Sequence, residues 1–538
     1  MLRNRDCLLR SAWFVLALAV SSVALAEDPV LVVFIKSADA LLNDAKYVLS
    51  TGGTEGDLVD GLIDQVTQGK GLAGVDKSKP LGAYMTINAA GNQDFVLFVP
   101  VNDNKAFRDL LSTIGFSRQQ EVAGGLFSIQ AEGQQFYGRF SNGYCFLTLL
   151  PGALNQLPDP KKIASTRYTL GMEANLAKVS DEIKADIIDA LDSVIAEADE
   201  ENKPENEIES RMRGRFFKTS TEFVRLLVNN TERLSLGLDV DQKAKLFAVD
   251  MTVVAKEGSP LAESLATYAK ITPAFASLIG PDSVASFTFA MPVSEGLRGL
   301  LRDGVRSSLE EARTDIDKSE KLSADEKKAL KELTVRIVKV FDATGDLGKI
   351  DMAVTLNSTN GKPQVVGAVQ IAEGDELGKI IDDTLKQAGR ALPDMVKLDV
   401  AKHNGARIHS ISPELEGEAK DLFGSSPLCV AVRNDAIYFA IGGDSLAAIK
   451  SAIDKTGKGA GNRPPVSARV QPSKVVELLG GAAGDDPNVD LARQAFTGEG
   501  DHLSLELLPI PNGARLRLEL GEGFLRFIAL IVNQQLGG

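Results

Sequence analysis

Histidine is the residue type with the clearest capacity for metal or acid–base chemistry in this chain, and it is scarce. The three histidines are His403, His409 and His502. His403 and His409 flank the turn Asn404-Gly405, so the sequence predicts that they face each other across a hairpin. A zinc ion would need a third ligand, and Asp399 and Glu414 are only nearby in sequence. Because the chain has no H-E-x-x-H motif and no cysteine pair, histidines in strands are the favoured interpretation, and no metal ligand is assigned.

Nucleophilic catalysis has equally little support. Serine and cysteine nucleophiles usually draw on a histidine base, and the first 402 residues contain no histidine. The segment Gly443–Ala447 lacks the final glycine of a nucleophile elbow, and Ser445 is instead predicted to cap a helix, with Asp444 adding favourable charge. Cys145 and Cys429 lie in apolar runs and are predicted to be buried thiols, the alternative being one disulfide between them. No catalytic residue is assigned.

A glycine-rich segment matches the sequence pattern of a dinucleotide-binding loop but not its structural context. Residues 69–74 read G-x-G-x-x-G. A dinucleotide site needs a strand before these glycines and a helix directly after them. Here a predicted helix, Leu58–Gln68, precedes them and a loop, Asp76–Pro80, follows, so a flexible connector is favoured. A second glycine-rich loop, Gly457–Gly461, has no phosphate-binding context either. No cofactor is predicted and no cofactor-binding residue is assigned.

Paired carboxylates keep one enzymatic alternative open. Asp60 and Asp64 are one helical turn apart, as are Asp186 and Asp189, a spacing that is common on exposed helices. The loop Asp342–Asp346 is a weak calcium candidate, because it lacks the spacing and the terminal glutamate of an EF-hand loop. An extracytoplasmic hydrolase that uses carboxylates, with or without a divalent metal, is therefore the alternative to a non-enzymatic protein.

Aromatic residues give little support to a sugar-binding cleft. The single Trp lies in the first 26 residues. The remaining candidates for an aromatic platform are Tyr137 with Tyr144 and Phe216 with Phe217.

The first 26 residues are predicted to be a cleavable secretory signal peptide. Arg3, Arg5 and Arg10 make a basic start, an apolar core from Ala12 to Val20 follows, and Ala24-Leu25-Ala26 supplies the small residues that a signal peptidase needs. The mature chain is expected to begin at Glu27 and to be periplasmic or extracellular. The apolar segment Phe524–Val532 is too short for a membrane span and contains Arg526, so no transmembrane segment is expected after cleavage.

Charge excludes one large class of partners. The formal net charge is −14, and it becomes −16 when three arginines and one aspartate leave with the signal peptide. Such an excess of carboxylates repels phosphate, so nucleic acid is not an expected partner.

The chain is predicted to run through one structural pattern twice. The 512 residues of the mature chain exceed what one core usually organises. A strand that passes into a helix, a second strand and helix, a hairpin and a final pair of strands followed by a helix recur in the same order. We therefore predict an α+β fold of two homologous halves, residues 27–275 and 276–538, each a mainly antiparallel sheet with packed helices.

Several pairs of segments carry this correspondence. The matched pairs are Asp28–Ile35 with Asp282–Phe289, Asp94–Val101 with Pro363–Ile371, Phe136–Tyr144 with Leu428–Ala436, Arg233–Leu238 with His502–Leu507, and Leu261–Lys270 with Phe524–Val532. The halves differ by charged helical insertions, Asp181–Glu209 and Arg302–Asp342, the latter containing a helix start at Ser323. Solvated helix surfaces are the favoured interpretation of these insertions, over cation or partner binding.

The chain resembles the large exported proteins of unknown function found in planctomycete-type bacteria. The resemblance lies in the signal peptide, the repeated unit and apolar segments that precede a helix, such as Phe95–Val101. The resemblance would cover most of the chain, implies an exported protein, and brings no activity or site residues. The sequence thus predicts an exported, non-enzymatic binding or interaction protein of the cell envelope, with an unknown protein or small molecule as its partner. A carrier for an apolar ligand held between sheet and helices is a further alternative.

Overall fold

The computed structural model describes residues 29–53, 57–87, 93–131, 133–201, 221–222, 224–281, 283–293, 295–319, 323–359, 361–391, 394–458, 463–479, 487–498 and 500–537. The predicted signal peptide lies outside the described residues, as do Phe216, Phe217 and part of each of the segments Glu197–Glu209 and Gly457–Gly461.

Twenty strands and fourteen α-helices with defined bounds occur in the described part of the chain, and residues 224–230 are also helical. The strands are β1 (Leu31–Ile35), β2 (Leu81–Ile87), β3 (Gln93–Pro100), β4 (Ser117–Val122), β5 (Leu126–Ala131), β6 (Gln134–Ser141), β7 (Tyr144–Thr148), β8 (Leu170–Asn175), β9 (Thr231–Asp241), β10 (Leu246–Ala255), β11 (Ala285–Pro292), β12 (Lys349–Thr359), β13 (Lys362–Gln370), β14 (Val396–His403), β15 (Ala406–Ile411), β16 (Leu428–Arg433), β17 (Ala436–Ile441), β18 (Val466–Val470), β19 (Leu503–Ile510) and β20 (Gly513–Gly521). The helices are α1 (Ala38–Thr51), α2 (Asp57–Thr67), α3 (Asn104–Thr113), α4 (Pro160–Ile163), α5 (Asp181–Glu201), α6 (Pro260–Tyr268), α7 (Glu295–Lys318), α8 (Ala324–Gly345), α9 (Gly374–Ala391), α10 (Gly417–Phe423), α11 (Ser445–Lys455), α12 (Pro472–Leu479), α13 (Pro487–Ala495) and α14 (Glu522–Gly537).

All twenty strands belong to one antiparallel sheet. From one edge to the other the order is β4-β5-β6-β7-β3-β2-β1-β8-β9-β10-β20-β19-β18-β11-β12-β13-β17-β16-β15-β14. Local hairpins and antiparallel neighbours, with helices inserted between strands, define an α+β fold. The predicted fold class is confirmed.

The strand order of the first ten strands is repeated by the second ten. Adding ten to each strand of the series 4-5-6-7-3-2-1-8-9-10 reproduces the series 14-15-16-17-13-12-11-18-19-20. The two series meet through their last members, β10 and β20, which pair from Leu246↔Gly521 to Val254↔Gly513. The two predicted halves thus share one sheet, and their common ancestry stays a prediction.

Both edges of this long sheet are irregular. The ladder of the edge strand β4 shifts register between Ser117 and Gln120, and that of β14 shifts between Lys397 and Ala401. Arg118 and Asp399, inside these two irregular stretches, have φ angles of 51° and 50°. A bulge and a charged side chain make an edge a poor template for further strands, so the sheet can stay open without extending into neighbours.

Helices pack on both faces of the outer strands and form separate cores. On one face, α11 covers a cluster around the fully buried Tyr438 and Ile449. In the first half, the corresponding cluster contains Phe98 and Phe146. α3 packs on the other face of the first half through Phe107 and its neighbours.

Capping residues set several helix starts. Ser323 and Glu326 form the reciprocal capping box of α8, so the predicted start at Ser323 is confirmed. The prediction for Ser445 was wrong by one position. Asp444 is the N-cap of α11 and accepts from the Ala447 N–H at 2.9 Å, because its carboxylate reaches that donor while Ser445 turns into the core.

A candidate binding face and the ionic centre behind it

The central strands are amphipathic, because apolar and polar residues alternate along each of them. In β10, the residues Phe247, Val249, Met251 and Val253 alternate with Ala248, Asp250 and Thr252. Successive side chains in a strand point to opposite faces, so each strand gives one apolar side and one polar side to the sheet. We call the side that carries Met251 the apolar face and the side that carries Asp250 the ionic face.

The strand register aligns these apolar positions into an unbroken row. The row on the apolar face runs across thirteen strands through Leu147, Leu97, Ala83, Val33, Met172, Leu236, Met251, Leu516, Leu507, Val466, Phe289, Met352 and Val369. It crosses the β10–β20 junction without a polar residue. Leu147, at one end of the row, is buried in the core beneath α3, and the rest of the row extends over both halves and belongs to neither alone.

Several side chains on the apolar face remain open to solvent. The exposed fractions are 39% for Leu97, 38% for Leu236, 42% for Met251 and 38% for Phe287. Leu236 and Met251 are direct cross-strand neighbours beside the junction. Contiguous exposed apolar surface of this kind marks contact sites for other apolar surfaces, whereas single exposed leucines do not.

The ionic face carries a buried carboxylate at the junction. The Asp250 side chain is fully buried, and it accepts from the Tyr168 hydroxyl at 2.8 Å and from Arg167 and Arg517 at 3.1 Å each. A buried charge is tolerated when opposite charge and hydrogen bonds surround it, as they do here. Burial, followed by the bond to Asp250, raises the pKa of Tyr168 to about 12, so its hydroxyl stays a donor. The cluster joins the β7–β8 connection, β10 and β20.

The ionic network continues along β19 and β20. Arg517 donates from Nε to Glu519 at 2.7 Å, and Ser504 donates to the same carboxylate at 3.4 Å. The pKa of Glu506 is raised, first by burial and then by the charge of Glu519. Glu506 lies opposite Arg517 in the β19–β20 register. This arrangement is a chain of compensated charges, and Glu519 is engaged by two donors.

The predicted pairing of His403 and His409 was wrong. His403 lies opposite Ala406, and its Nε2 is 2.7 Å from Asp454 on α11. His409 is buried, accepts from the Asp399 N–H at Nδ1, and lies 3.3 Å from Asp382 on α9 through Nε2. The bulge in β14 and the different elements packed on the two faces give each imidazole its own carboxylate. Burial is the main cause that lowers the pKa of His409.

The carboxylates of the calcium candidate, and one of the paired carboxylates, form ion pairs with protein cations. Asp342 pairs with Arg302 and Arg306 at 3.2 and 3.1 Å, and Asp346 pairs with Arg302. Asp60 pairs with Lys46 at 2.7 Å. Within the described ranges, no group of three or more His, Cys, Asp or Glu residues has the arrangement of a metal site.

The glycine-rich segment follows a helix and precedes β2, as the connector interpretation predicts. A Cβ at Gly74 would lie 2.3 Å from the backbone nitrogen of Phe107, so this glycine allows the loop to approach α3 closely. Cys145 and Cys429 are both buried free thiols, and the disulfide alternative is wrong. Cys429 Sγ lies 3.3 Å from Ser445 Oγ in the core of the second half.

Comparison with known proteins defines no family for this chain. No protein-family model matches it, and no curated protein matches it. A solved structure, TP0453 in crystal form IV, matches with 10% sequence identity, 43% of this chain and 81% of that chain covered, and a TM-score of 0.21. In the described part of the chain, no helix combines the length and apolar character that a membrane crossing requires.

Proposed function

We propose that this chain is an exported, non-enzymatic binding protein of the cell envelope that contacts an apolar or amphipathic ligand through the apolar face. The observation that carries the proposal is the unbroken apolar row, with Leu236 and Met251 exposed where the two strand series meet. Covering such surface releases about 25 cal/mol per Å² of apolar area, so an extended apolar ligand gains affinity along the row.

The ionic face supports this proposal because, unlike the apolar face, its central groups are already paired within the protein. Its central carboxylate is compensated by two arginines and a tyrosine, which suits a structural centre. A hydrolase would instead need two carboxylates converging on a substrate, and Glu519 is bound by Arg517 and Ser504. Export is supported by the signal-peptide pattern of the first 26 residues.

Two variants test the binding face. The double variant Leu236→Glu with Met251→Glu places two carboxylates in the middle of the row. Leu149→Glu with Leu150→Glu is the matched control, because these leucines are 49% and 47% exposed and lie outside the row. Binding of the neutral fluorescent probe N-phenyl-1-naphthylamine to residues 27–538 is the measurement, with circular dichroism as the check on folding.

We expect probe affinity to fall by about tenfold or more in the first variant, since each buried side chain of this size contributes roughly 1.5–3 kcal/mol. The control variant should bind like the unmodified protein. Equal affinities in the two folded variants would rule out the apolar face as the contact surface. N-terminal sequencing of protein from the producing cell tests export separately, with Glu27 as the expected first residue.

A further inference from the structure

A second candidate site lies on the ionic face, away from the junction, and the proposed function does not use it. It is a cavity of about 480 Å³ between the β6–β7 hairpin and the segment 155–161. This volume lies within the range of small-molecule sites, roughly 300–1,000 Å³. The register Arg139↔Phe146 and Ser141↔Tyr144 forms its floor, so four side chains of two strands point to the same side.

Tyr144, which lines the cavity, has a buried hydroxyl group that no described protein group satisfies. Tyr144 is 2% exposed, and its hydroxyl has no hydrogen-bond partner among the described residues. A buried hydroxyl without a partner is costly, so such a group in a cavity wall is a natural donor to a ligand. Burial, together with the charges of Asp159 and Asp76, raises the pKa of Tyr144 to about 12, which keeps the proton on the oxygen.

Two cations line the same cavity. Arg139 is held in place by its bonds to the Leu154 and Gly124 carbonyl groups at 2.8 and 3.2 Å. Carbonyl groups orient the guanidinium without neutralising its charge, and in the described part of the chain no carboxylate lies within ion-pair distance of Arg139 or Lys161, although Asp159 lines the same cavity. A fixed arginine of this kind is suited to a carboxylate.

The remaining lining favours hydroxyl groups and a carbon ring. Asn142 and Asn155 offer amide donors and acceptors, and one oxygen of Asp159 caps α4 by accepting from the Lys161 N–H at 3.1 Å. Phe146 and Leu157 supply apolar surface on which the C–H faces of a ring can pack. We infer that this cavity binds a small hydroxylated carboxylic acid of the size of a sugar acid, with Arg139 and Lys161 on the carboxylate and Tyr144 donating to the ligand.

A matched pair of tyrosines gives a sharp test. Tyr84 and Tyr144 both lie against Phe98, with ring centroids 6.3 and 6.4 Å from it, and both hydroxyls are buried without a described partner. Only Tyr144 lines the cavity. Galacturonate, galactose and acetate are titrated calorimetrically into residues 27–538 and into the variants Tyr144→Phe, Tyr84→Phe and Lys161→Ala.

We expect galacturonate to bind with one site per chain, and galactose and acetate to bind at least tenfold more weakly. Tyr144→Phe should weaken galacturonate binding by about fivefold to tenfold, because one hydrogen bond to the ligand is lost. The melting temperature of the free protein should not fall. Tyr84→Phe should leave the affinity unchanged, and Lys161→Ala should weaken it.

Three results would overturn the inference. They are no galacturonate binding at roughly millimolar concentration, equal binding of galactose, and equal effects of the two tyrosine variants. Because the cavity and the apolar face lie on opposite sides of the sheet, the probe experiment above is independent. No probe binding by the unmodified protein, or equal probe affinities in the two apolar-face variants, together with intact galacturonate binding would contradict only the proposed function.

Discussion

Asp250 and Arg517 form the central pair of the ladder that joins the two strand series. They lie directly opposite each other as the fifth of nine residue pairs between β10 and β20, with Arg517 Nη1 3.1 Å from Asp250 Oδ2. Each strand is the last of its series of ten. A charge pair at the midpoint specifies the register of the junction, because a shift of one residue would turn the arginine toward the apolar face.

The first prediction concerns the energy of this pair. Asp250→Asn should lower the free energy of unfolding by about 3 kcal/mol, since it removes the fully buried carboxylate that Arg517, 28% exposed, and the more exposed Arg167 share. In a double-mutant cycle with Arg517→Met, measured by urea denaturation, the coupling energy should be about 1–3 kcal/mol.

The exposed pair Arg233–Glu173 is the control for this cycle. Its partners are 48% and 40% exposed at 3.5 Å, so its coupling should be about 0–1 kcal/mol. A coupling at the junction as small as that of the control would contradict the central role of the Asp250–Arg517 pair.

The second prediction concerns pH and the buried carboxyl of Asp351. Burial raises the pKa of Asp351 above 3.8, although the Ala274 N–H and Lys349 oppose the shift. A carboxyl with a raised folded-state pKa contributes stability that is present below pH 3.8, the ordinary pKa of the group. This stability is lost as the pH rises through the folded-state pKa. The variant Asp351→Asn should therefore gain stability relative to the unmodified protein as the pH rises through this window.

Asp76 provides a control of opposite sign. Hydrogen bonds from Lys79 and Ser78 lower the pKa of Asp76. The stability that Asp76 contributes is present above pH 3.8 and is lost as the pH falls through the lowered folded-state pKa. The variant Asp76→Asn should therefore be less stable than the unmodified protein above pH 3.8, and this difference should disappear in acid. Denaturant titrations over a pH series give both differences, and slopes of the same sign would refute the assignment.

The third prediction concerns the thiols. Cys145 and Cys429 are 0% and 2% exposed, and burial raises the pKa of the Cys145 thiol. A thiol reagent should therefore react with neither in the folded protein and with both after denaturation, because only an accessible thiolate is nucleophilic. An intact mass lower by two hydrogens, or no reaction after denaturation, would instead indicate a disulfide.

The fourth prediction separates two costs of replacing glycine. Gly69 and Gly74 have nearly the same φ angles, 77° and 76°, but a Cβ at Gly69 meets open space. Gly69→Ala should cost about 1 kcal/mol of stability, and Gly74→Ala about 3 kcal/mol, because its Cβ would collide with the backbone at Phe107. Thermal denaturation measures both, and equal costs would show that the close approach to α3 is not rigid.

Local sequence patterns were sufficient for much of the fold. The alternation in β9, β10, β19 and β20 predicted strands, and the Asn142-Gly143 turn adopts the left-handed φ angles that those residues tolerate, 51° and 76°. The start of α8 at Ser323 was equally readable, because a capping box is made by residues three apart. Such features depend on neighbours in the chain, so their physics is contained in short segments.

The surfaces depend on contacts that no short segment contains. Nothing in β10 alone specifies β20 as its neighbour, and His409 finds Asp382 only because α9 packs beside β15. Likewise, Arg139 and Tyr144 could be assigned to strands from the sequence, but the cavity above them requires the segment 155–161 to return across the hairpin. The sequence by itself determined which residues alternate, cap and turn, and the tertiary structure decided which apolar sides align into one face and which charges meet, since both depend on packing between distant segments.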